Sequence, residues 1–351
     1  MTHTLRRVRE ETDVPLARLT TLRVGGPARR VVTAETDEEL VEAAAADPAL
    51  VLAGGSNVVI ADAGVDGTVV RVATRGIEAR EVGLRVRLDV AAGMSWDELV
   101  AWTVEEDLAG FECMSGIPGS VGASPIQNVG AYGQEVSETI VSVRAYDRVA
   151  GEVVDLAPAD CGFGYRTSRF KHADRGRFAI VRVAYELPHS PRSGRLGYAE
   201  LTRALDIAPG ARAPLADVRA AVLDLRRRKG MVLDPADPDS VSAGSFFTNP
   251  ILAPDDFAAL RERAGAEPPA WPEADGRVKT SAGWLIRRAG FDRGHGDGPI
   301  GLSSKHALAI VNRGGGTAQE LVAFARELRD GVRERLGIVL ELEPVLVGLE
   351  L

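Results

Sequence analysis

Cysteine is scarce in this chain of 351 residues: Cys113 and Cys161 are the two present. They form no C-x-x-C pair, so neither a disulfide framework nor a structural zinc site is expected. Histidine is scarce as well, and His295 and His306 lack the spacing of metal ligands, so no metal is expected. Long apolar runs are missing. No stretch of about 18 apolar residues offers a membrane span, and the polar segment Met1–Glu10 has no apolar core of a signal peptide. The expected compartment is therefore the reducing cytoplasm. There is no basic excess either. The formal net charge is −8, which argues against nucleic-acid or membrane partners, although a local Arg/Lys cluster still acts at short range. No G-x-G-x-x-G follows a strand pattern and no G-x-x-x-x-G-K-[ST] occurs, leaving a Rossmann fingerprint and a P-loop unsupported.

What is present is an ordinary globular balance, 45% hydrophobic and 26% charged. The length suits two domains, and helical and strand patterns alternate, which excludes an all-helical or all-β chain. Thr36 and Glu39 have capping-box spacing ahead of a helix that carries Leu40, Val41 and Ala44 on one face and stops before Pro48. Leu50–Ala53 reads as a buried strand entering Gly54-Gly55. Strand patterns also occur at 67–72, 84–90, 141–146 and 178–185. Ser95 and Glu98 predict a second capped helix, and Asp217 predicts the cap of a third, which ends in Arg226-Arg227-Arg228-Lys229-Gly230. The 235–242 stretch reads as a linker. Thr317 and Glu320 cap a long helix with Leu321, Phe324, Ala325, Leu328 and Val332 as its apolar stripe; Gly337 ends it, and a strand over 338–347 is predicted to follow.

Five groups carry possible chemistry. Gly54, Gly55, Ser56 and Asn57 follow a buried strand, where glycines let backbone N–H groups approach a phosphate; alone, the tetrapeptide reads more readily as an ordinary tight turn. Gly116–Gly133 is glycine-rich and almost uncharged, with Ser124, Gln127 and Asn128 as amide and hydroxyl donors, which favours an ordered loop on a ligand. Tyr165–Lys171 contains Arg166, which can take a carboxylate in bidentate fashion or simply be a solvated turn. Ser245, between Gly244 and Phe246-Phe247, lies in apolar surroundings without a G-x-S-x-G elbow, so it is no hydrolase nucleophile; it reads either as a proton donor or as a buried structural serine. Glu341 and Glu343 point to one face of a strand, solvated or drawn into a site.

The order and wording of these segments are specific. Leu19–Ala28, Ala53–Asn57, Gly116–Gly122, Gln127–Gly133, Tyr165–Ser168, Ala243–Pro250 and Gly283–Ile286 closely resemble the UDP-N-acetylenolpyruvoylglucosamine reductase family, from about Leu16 to the last strand. The resemblance implies an α+β fold: a two-subdomain FAD-binding region of the PCMH/vanillyl-alcohol-oxidase type over 1–210, to which 336–351 returns, and a separate α+β substrate-binding domain over 215–335. It implies noncovalent FAD, NADPH as co-substrate, and an enolpyruvyl UDP-sugar as substrate in peptidoglycan precursor synthesis, in a cytoplasmic monomer. Gly54, Gly55, Ser56 and Asn57 match the flavin pyrophosphate loop, and Gly116, Ile117, Gly122, Ser124, Gln127 and Asn128 the second flavin-contacting segment. Arg166 matches the arginine that holds the substrate carboxylate, Ser245 the serine that protonates the carbanion, and Glu343 the glutamate beside it. Tyr132, the lid tyrosine Tyr198, Lys229 and Asn249 match substrate-binding positions. Two departures stand out. The interval from Lys229 to Ser245 is long, and Pro344 follows Glu343 where the family usually has valine, so Glu341 remains an alternative to Glu343. Competing readings are an FAD oxidase of the same superfamily and a nonenzymatic flavin or nucleotide-sugar binding protein.

Overall fold

The structure, a computed structural model, describes residues 9–351; the part of the N-terminal reading that falls on Met1–Val8 lies outside them. Contacts divide the chain into two compact units. Unit 1 gathers the described residues up to Val14, Ala28–Gly55 and Val65–Arg227; unit 2 gathers Pro15–Pro27, Ser56–Gly64 and Arg228–Leu351. By contacts the main division falls between Arg227 and Arg228, and the last residues belong to the same unit as Ser56–Gly64.

Unit 1 holds two sheets. In the first, the strands lie in the order Arg9–Pro15, Pro27–Ala34, Val65–Val72, Leu50–Leu52, the last three mutually parallel. Helix α1 (Asp37–Ala45) opens with the complete predicted capping box of Thr36 and Glu39 and buries Leu40 and Ala44, one turn apart. The second sheet is antiparallel, in the order Glu152–Leu156, Ile140–Asp147, Phe178–Pro188, Arg85–Ala91, Ile77–Val82. Its inner side packs Val90, Val143 and Val183 with Leu99 of helix α2 (Trp96–Glu105). Trp96, Phe111 and Tyr185 join them with ring centroids 5.0 to 6.3 Å apart. The outer strands Ile77–Val82 and Glu152–Leu156 were not predicted: they are edge strands exposed along most of their length, so the alternation that marks a half-buried strand is absent. The Ser95 cap of α2 forms, its hydroxyl accepting from Glu98 N, but the Glu98 carboxylate turns to Arg75. Helices α3 (Ala199–Ala204) and α4 (Leu215–Arg228) bury a small core of Leu196, Leu201, Val218, Val222 and Leu225 with Cys113. Asp217 was expected to cap α4. The helix instead starts at Leu215 and places Asp217 in its first turn, where a negative charge complements the N-terminal dipole.

Unit 2 is built on helices α5 (Pro254–Ala264), α6 (Ala282–Arg288) and α7 (Ala318–Leu336). The predicted stripe of α7, Leu321, Phe324, Ala325, Leu328 and Val332, is buried against Phe246, Phe247, Leu285 and Ile286. Thr317 and Glu320 form the predicted capping box, and the Asp62 carboxylate also accepts from Ala318 N and Gln319 N at 2.7 and 2.9 Å. Gly337, at φ +75°, ends the helix as expected. The strand predicted over 338–347 is shorter, Val345–Val347, and pairs in parallel with Val58–Ile60. Pro344 has no N–H to donate, so the ladder fails there. Residues upstream of it are held by two separate backbone bonds, Glu343 N to Phe246 O (3.0 Å) and Thr248 N to Glu341 O (2.9 Å). Among the described residues no helix is long and apolar enough to cross a membrane, and no group of three His, Cys, Asp or Glu could hold a metal ion.

Candidate active site

In unit 1 the turn after the Leu50–Leu52 strand meets the 116–122 segment backbone to backbone. A Cβ on Gly54 would lie 2.5 Å from Gly119 Cα and 2.9 Å from Ser120 N, and one on Gly122 would lie 2.6 Å from Ala92 Cβ. Only glycine permits such an approach. Gly55, Gly116 and Gly119 adopt positive φ. Beside this contact the hydroxyl of Ser120 is buried with no hydrogen-bond partner among the described residues. Buried hydroxyls are almost always bonded, so an orphaned one at a glycine cradle fits an anionic or carbonyl-bearing ligand, as a flavin dinucleotide is. Ser120 was not singled out from the sequence, although it lies inside the quoted glycine motif.

Several residues matched to the flavin segment use their polar groups inside the protein. Gly116 N donates to Asp97 Oδ1 (2.6 Å), and Arg219 of α4 grips the same carboxylate with two bonds of 2.6 and 3.0 Å. Burial raises the Asp97 carboxyl, but Arg219 and the Gly116 N–H outweigh it and hold the group below its ordinary range. The Ser124 hydroxyl donates to Val121 O (2.8 Å) and meets Tyr185 OH at 3.1 Å. The Asn128 amide nitrogen donates to Glu135 Oε2 (2.8 Å) and Gly164 O (3.0 Å), while its oxygen accepts from Ser137 N (3.1 Å). Ile117 and Gln127 are half-buried.

Arg166 lies close by in the same unit, at the left-handed φ of +53°. Its guanidinium donates to Asn128 O (3.3 Å) and Gly130 O, and stands 3.8 Å from Glu135 Oε1. The side chain of Arg166 is 18% exposed. Tyr132, also left-handed, meets the ring of Tyr198 edge to face at 5.3 Å. Tyr198 precedes α3 and is 47% exposed. Burial pushes the Tyr132 hydroxyl up to about 12, opposed by Arg226 of α4. Burial in turn lowers Arg226 to about 10, with Tyr132 and Asp97 drawing it up. The sequence offered the run Arg226–Lys229 as a helix C-terminus that could also serve a substrate diphosphate, and singled out neither Asp97 nor Glu135.

Unit 2 assembles another part. Ser245, half-buried, follows Gly244 at φ +72° and precedes the buried pair Phe246-Phe247. The 343 segment is bonded to Phe246, as described, and also to the glycine-turn residue Asn57: Asn57 Nδ2 donates to Glu343 O (3.2 Å), and Val345 N to Asn57 O (3.0 Å). Glu343 is half-buried whereas Glu341 is exposed. Ser56 is half-buried beside Asn57. Asn249 Oδ1 accepts from Ala282 N at the start of α6 (2.9 Å). Lys229, half-buried, follows the last turn of α4. Arg166, Tyr132 and Tyr198 thus fall in unit 1, and Ser56, Asn57, Lys229, Ser245, Asn249 and Glu343 in unit 2.

Comparison with known proteins bears on both units. The FAD binding domain profile matches residues 28–157, and the profile of the UDP-N-acetylenolpyruvoylglucosamine reductase C-terminal domain matches residues 235–347. The chain is 54% identical to the UDP-N-acetylenolpyruvoylglucosamine reductase of Thermobifida fusca, across 97% of this chain and 98% of that protein. It is 53% identical to the Streptomyces coelicolor enzyme of the same name, across 99% and 93%. The crystal structure of the MurB reductase of Thermus caldophilus superposes with a TM-score of 0.67 at 27% identity, covering 97% of this chain and 99% of that one. The chain belongs to the UDP-N-acetylenolpyruvoylglucosamine reductase family and is a flavin-dependent oxidoreductase with an FAD-binding domain and a family-specific C-terminal domain.

Proposed function

We propose that the protein reduces UDP-N-acetylglucosamine enolpyruvate to UDP-N-acetylmuramate with NADPH, in the cytoplasm and as a monomer. FAD would be held without a covalent bond by Gly54–Asn57 and by the 116–128 segment, with Ile117, Gln127 and the buried Ser120 hydroxyl facing it. When bound it supplies the hydride, taken from NADPH and delivered at N5 to the terminal vinyl carbon of the substrate.

The protein's own residues handle the charge and the proton. Arg166 binds the substrate carboxylate and stabilises the negative charge that develops on the adjoining carbon, an electrostatic role that costs no reorganisation because its guanidinium is already fixed by Asn128 and Gly130. The Ser245 hydroxyl gives its proton to that carbon. A serine is a weak acid, so this demands direct contact and exclusion of water, which the apolar Phe246-Phe247 surroundings favour. Glu343 serves the same proton transfer; its half-burial and its tie to Asn57 favour it over exposed Glu341. Tyr198 is the lid tyrosine, Tyr132 binds the substrate, and Lys229 and Asn249 bind the UDP diphosphate region. The domain division proposed for this chemistry is an FAD region over 1–210 with 336–351, and a substrate domain over 215–335.

The observation that carries the reading is the convergence, within unit 2, of the glycine-turn residue Asn57, the Ser245 segment and Glu343 from three distant parts of the chain. An oxidase reading leaves that arrangement without a role. The test is to denature the purified protein and then to assay the folded form. Released yellow flavin, and NADPH consumption that depends on the enolpyruvyl substrate, are expected; flavin retained on the chain, or consumption indifferent to the substrate, would reject the proposal.

A further inference from the structure

We infer that Glu135 is a positioning residue for Arg166, aiming its guanidinium at the substrate carboxylate; the inference rests on the proposed role of Arg166. Glu135 sits on the two-residue strand Gln134–Glu135, paired directly across from Gly130 on the strand Gly130–Ala131. Gly130 is also the residue whose carbonyl accepts from Arg166 Nη2. Glu135, Asn128 and Arg166 therefore close a ring around one backbone position, the Asn128 backbone carbonyl supplying the link to Arg166. Asn128 donates to Glu135 Oε2 at 2.8 Å, its carbonyl accepts from Arg166 Nη1 at 3.3 Å, and Glu135 Oε1 stands 3.8 Å from that same Nη1. Packing inside the ring is tight. A Cβ on Gly130 would come within 2.9 Å of Glu135 Cγ and 3.1 Å of Arg166 Nη1.

The two oxygens of Glu135 do different work. One is tethered by the Asn128 amide, so the carboxylate cannot swing away. The other attracts the guanidinium by charge from beyond hydrogen-bond distance, so an incoming carboxylate can bond to Arg166 without first displacing Glu135. The Asn128 amide extends the ring to Gly164 O (3.0 Å), two residues before Arg166, and so ties the loop that bears the arginine to the same frame. Asn128, the one ring member matched to the flavin segment, keeps an acceptor when only the charge of Glu135 is removed, so the effect of that change should fall on the half of the cycle in which Arg166 meets the substrate carboxylate.

The test uses the FAD-loaded protein under anaerobic conditions and times two half-reactions separately: flavin reduction by NADPH, and reoxidation by the enolpyruvyl substrate. Glu135→Gln keeps an acceptor for Asn128 and removes the charge. It is expected to slow reoxidation at least tenfold and to raise the KM for the enolpyruvyl substrate, while flavin reduction stays within twofold and FAD content is unchanged. Glu135→Asp, which restores the charge one methylene short, is expected to fall between Gln and the natural residue. Wild-type reoxidation in Glu135→Gln, with Arg166→Gln crippled, would overturn the inference and leave the Arg166 reading standing. Equal slowing of both half-reactions, or loss of the folded holoprotein in both Glu135 variants, would overturn it in favour of a structural role. Wild-type reoxidation in Arg166→Gln would instead bring down the Arg166 reading, and the inference with it.

Discussion

Ser245, Glu343 and Tyr132 each owe their proposed behaviour to immediate surroundings, and each makes a separable prediction. Ser245 has the apolar Phe246-Phe247 pair on one side and a left-handed glycine on the other. Ser245→Ala is expected to leave flavin reduction by NADPH intact and to slow reoxidation by the substrate by about 10²–10⁴-fold, the range for one positioned acid. Rapid-mixing absorbance of the flavin reads both steps. Glu343→Gln is expected to slow reoxidation as well, whereas Glu341→Gln, an exposed change, should leave rate and stability near wild type. The reverse order would transfer the role to Glu341. Tyr132 is raised to about 12 by burial, so its hydroxyl stays protonated throughout the working range. The pH profile of kcat between about 6 and 9 should therefore be the same in Tyr132→Phe, even where its substrate KM rises; a basic limb that vanished with Tyr132→Phe would contradict this.

At the scale of elements, two charged clamps hold the frame of unit 1. Asp97 of α2 ties Arg219 of α4 to the Gly116 backbone at the start of the flavin segment. Asp97→Asn and Arg219→Gln should each weaken FAD retention, and in a double-mutant cycle their effects should fail to add, with a coupling of about 0.5–3 kcal/mol. Simple additivity would show the clamp to be idle. Asp147 closes the Ile140–Asp147/Glu152–Leu156 hairpin. It accepts from Val149 N and Ala150 N and takes a forked grip from Arg177. Arg177 lowers its carboxyl to about 2. The folded value lies below the unfolded one, near 3.9, so the contribution to stability is complete above the unfolded value and is lost as pH falls from about 4 through 2. Asp147→Asn should therefore reduce the melting temperature at neutral pH and flatten its fall in acid. The elements themselves were legible in the sequence to the degree that they carry local signals. The α1 and α7 capping boxes and the Gly337 stop formed where predicted, because a cap depends on residues three apart. The edge strands were not legible because exposure erased their pattern, and the last strand was overextended because Pro344 breaks pairing that hydropathy does not register.

For the whole molecule, recognition and mechanism were legible to different depths. The wording of seven short segments sufficed to place the chain in its family, and identity across nearly all of its length agrees. The named residues Arg166 and Ser245 were visible because each sits in a distinctive motif. Glu135, Asp97 and Ser120 were not, since their meaning comes from pairing, packing or an orphaned hydroxyl that only the fold creates. Conversely, Ser124 and Asn128 matched flavin positions, while their side chains are engaged in holding the loop. The sequence marks the segment as a whole and does not distinguish groups that shape the loop from groups that would face a ligand. The account's central claim joins flavin, nicotinamide and enolpyruvyl substrate in one reaction. Its most direct test is NADPH consumption by the purified holoprotein with and without UDP-N-acetylglucosamine enolpyruvate, repeated in Arg166→Gln and Ser245→Ala. Consumption that requires the substrate, yields UDP-N-acetylmuramate and collapses in both variants is predicted. A folded, flavin-loaded protein whose NADPH consumption ignored the substrate, or survived both substitutions, would contradict it.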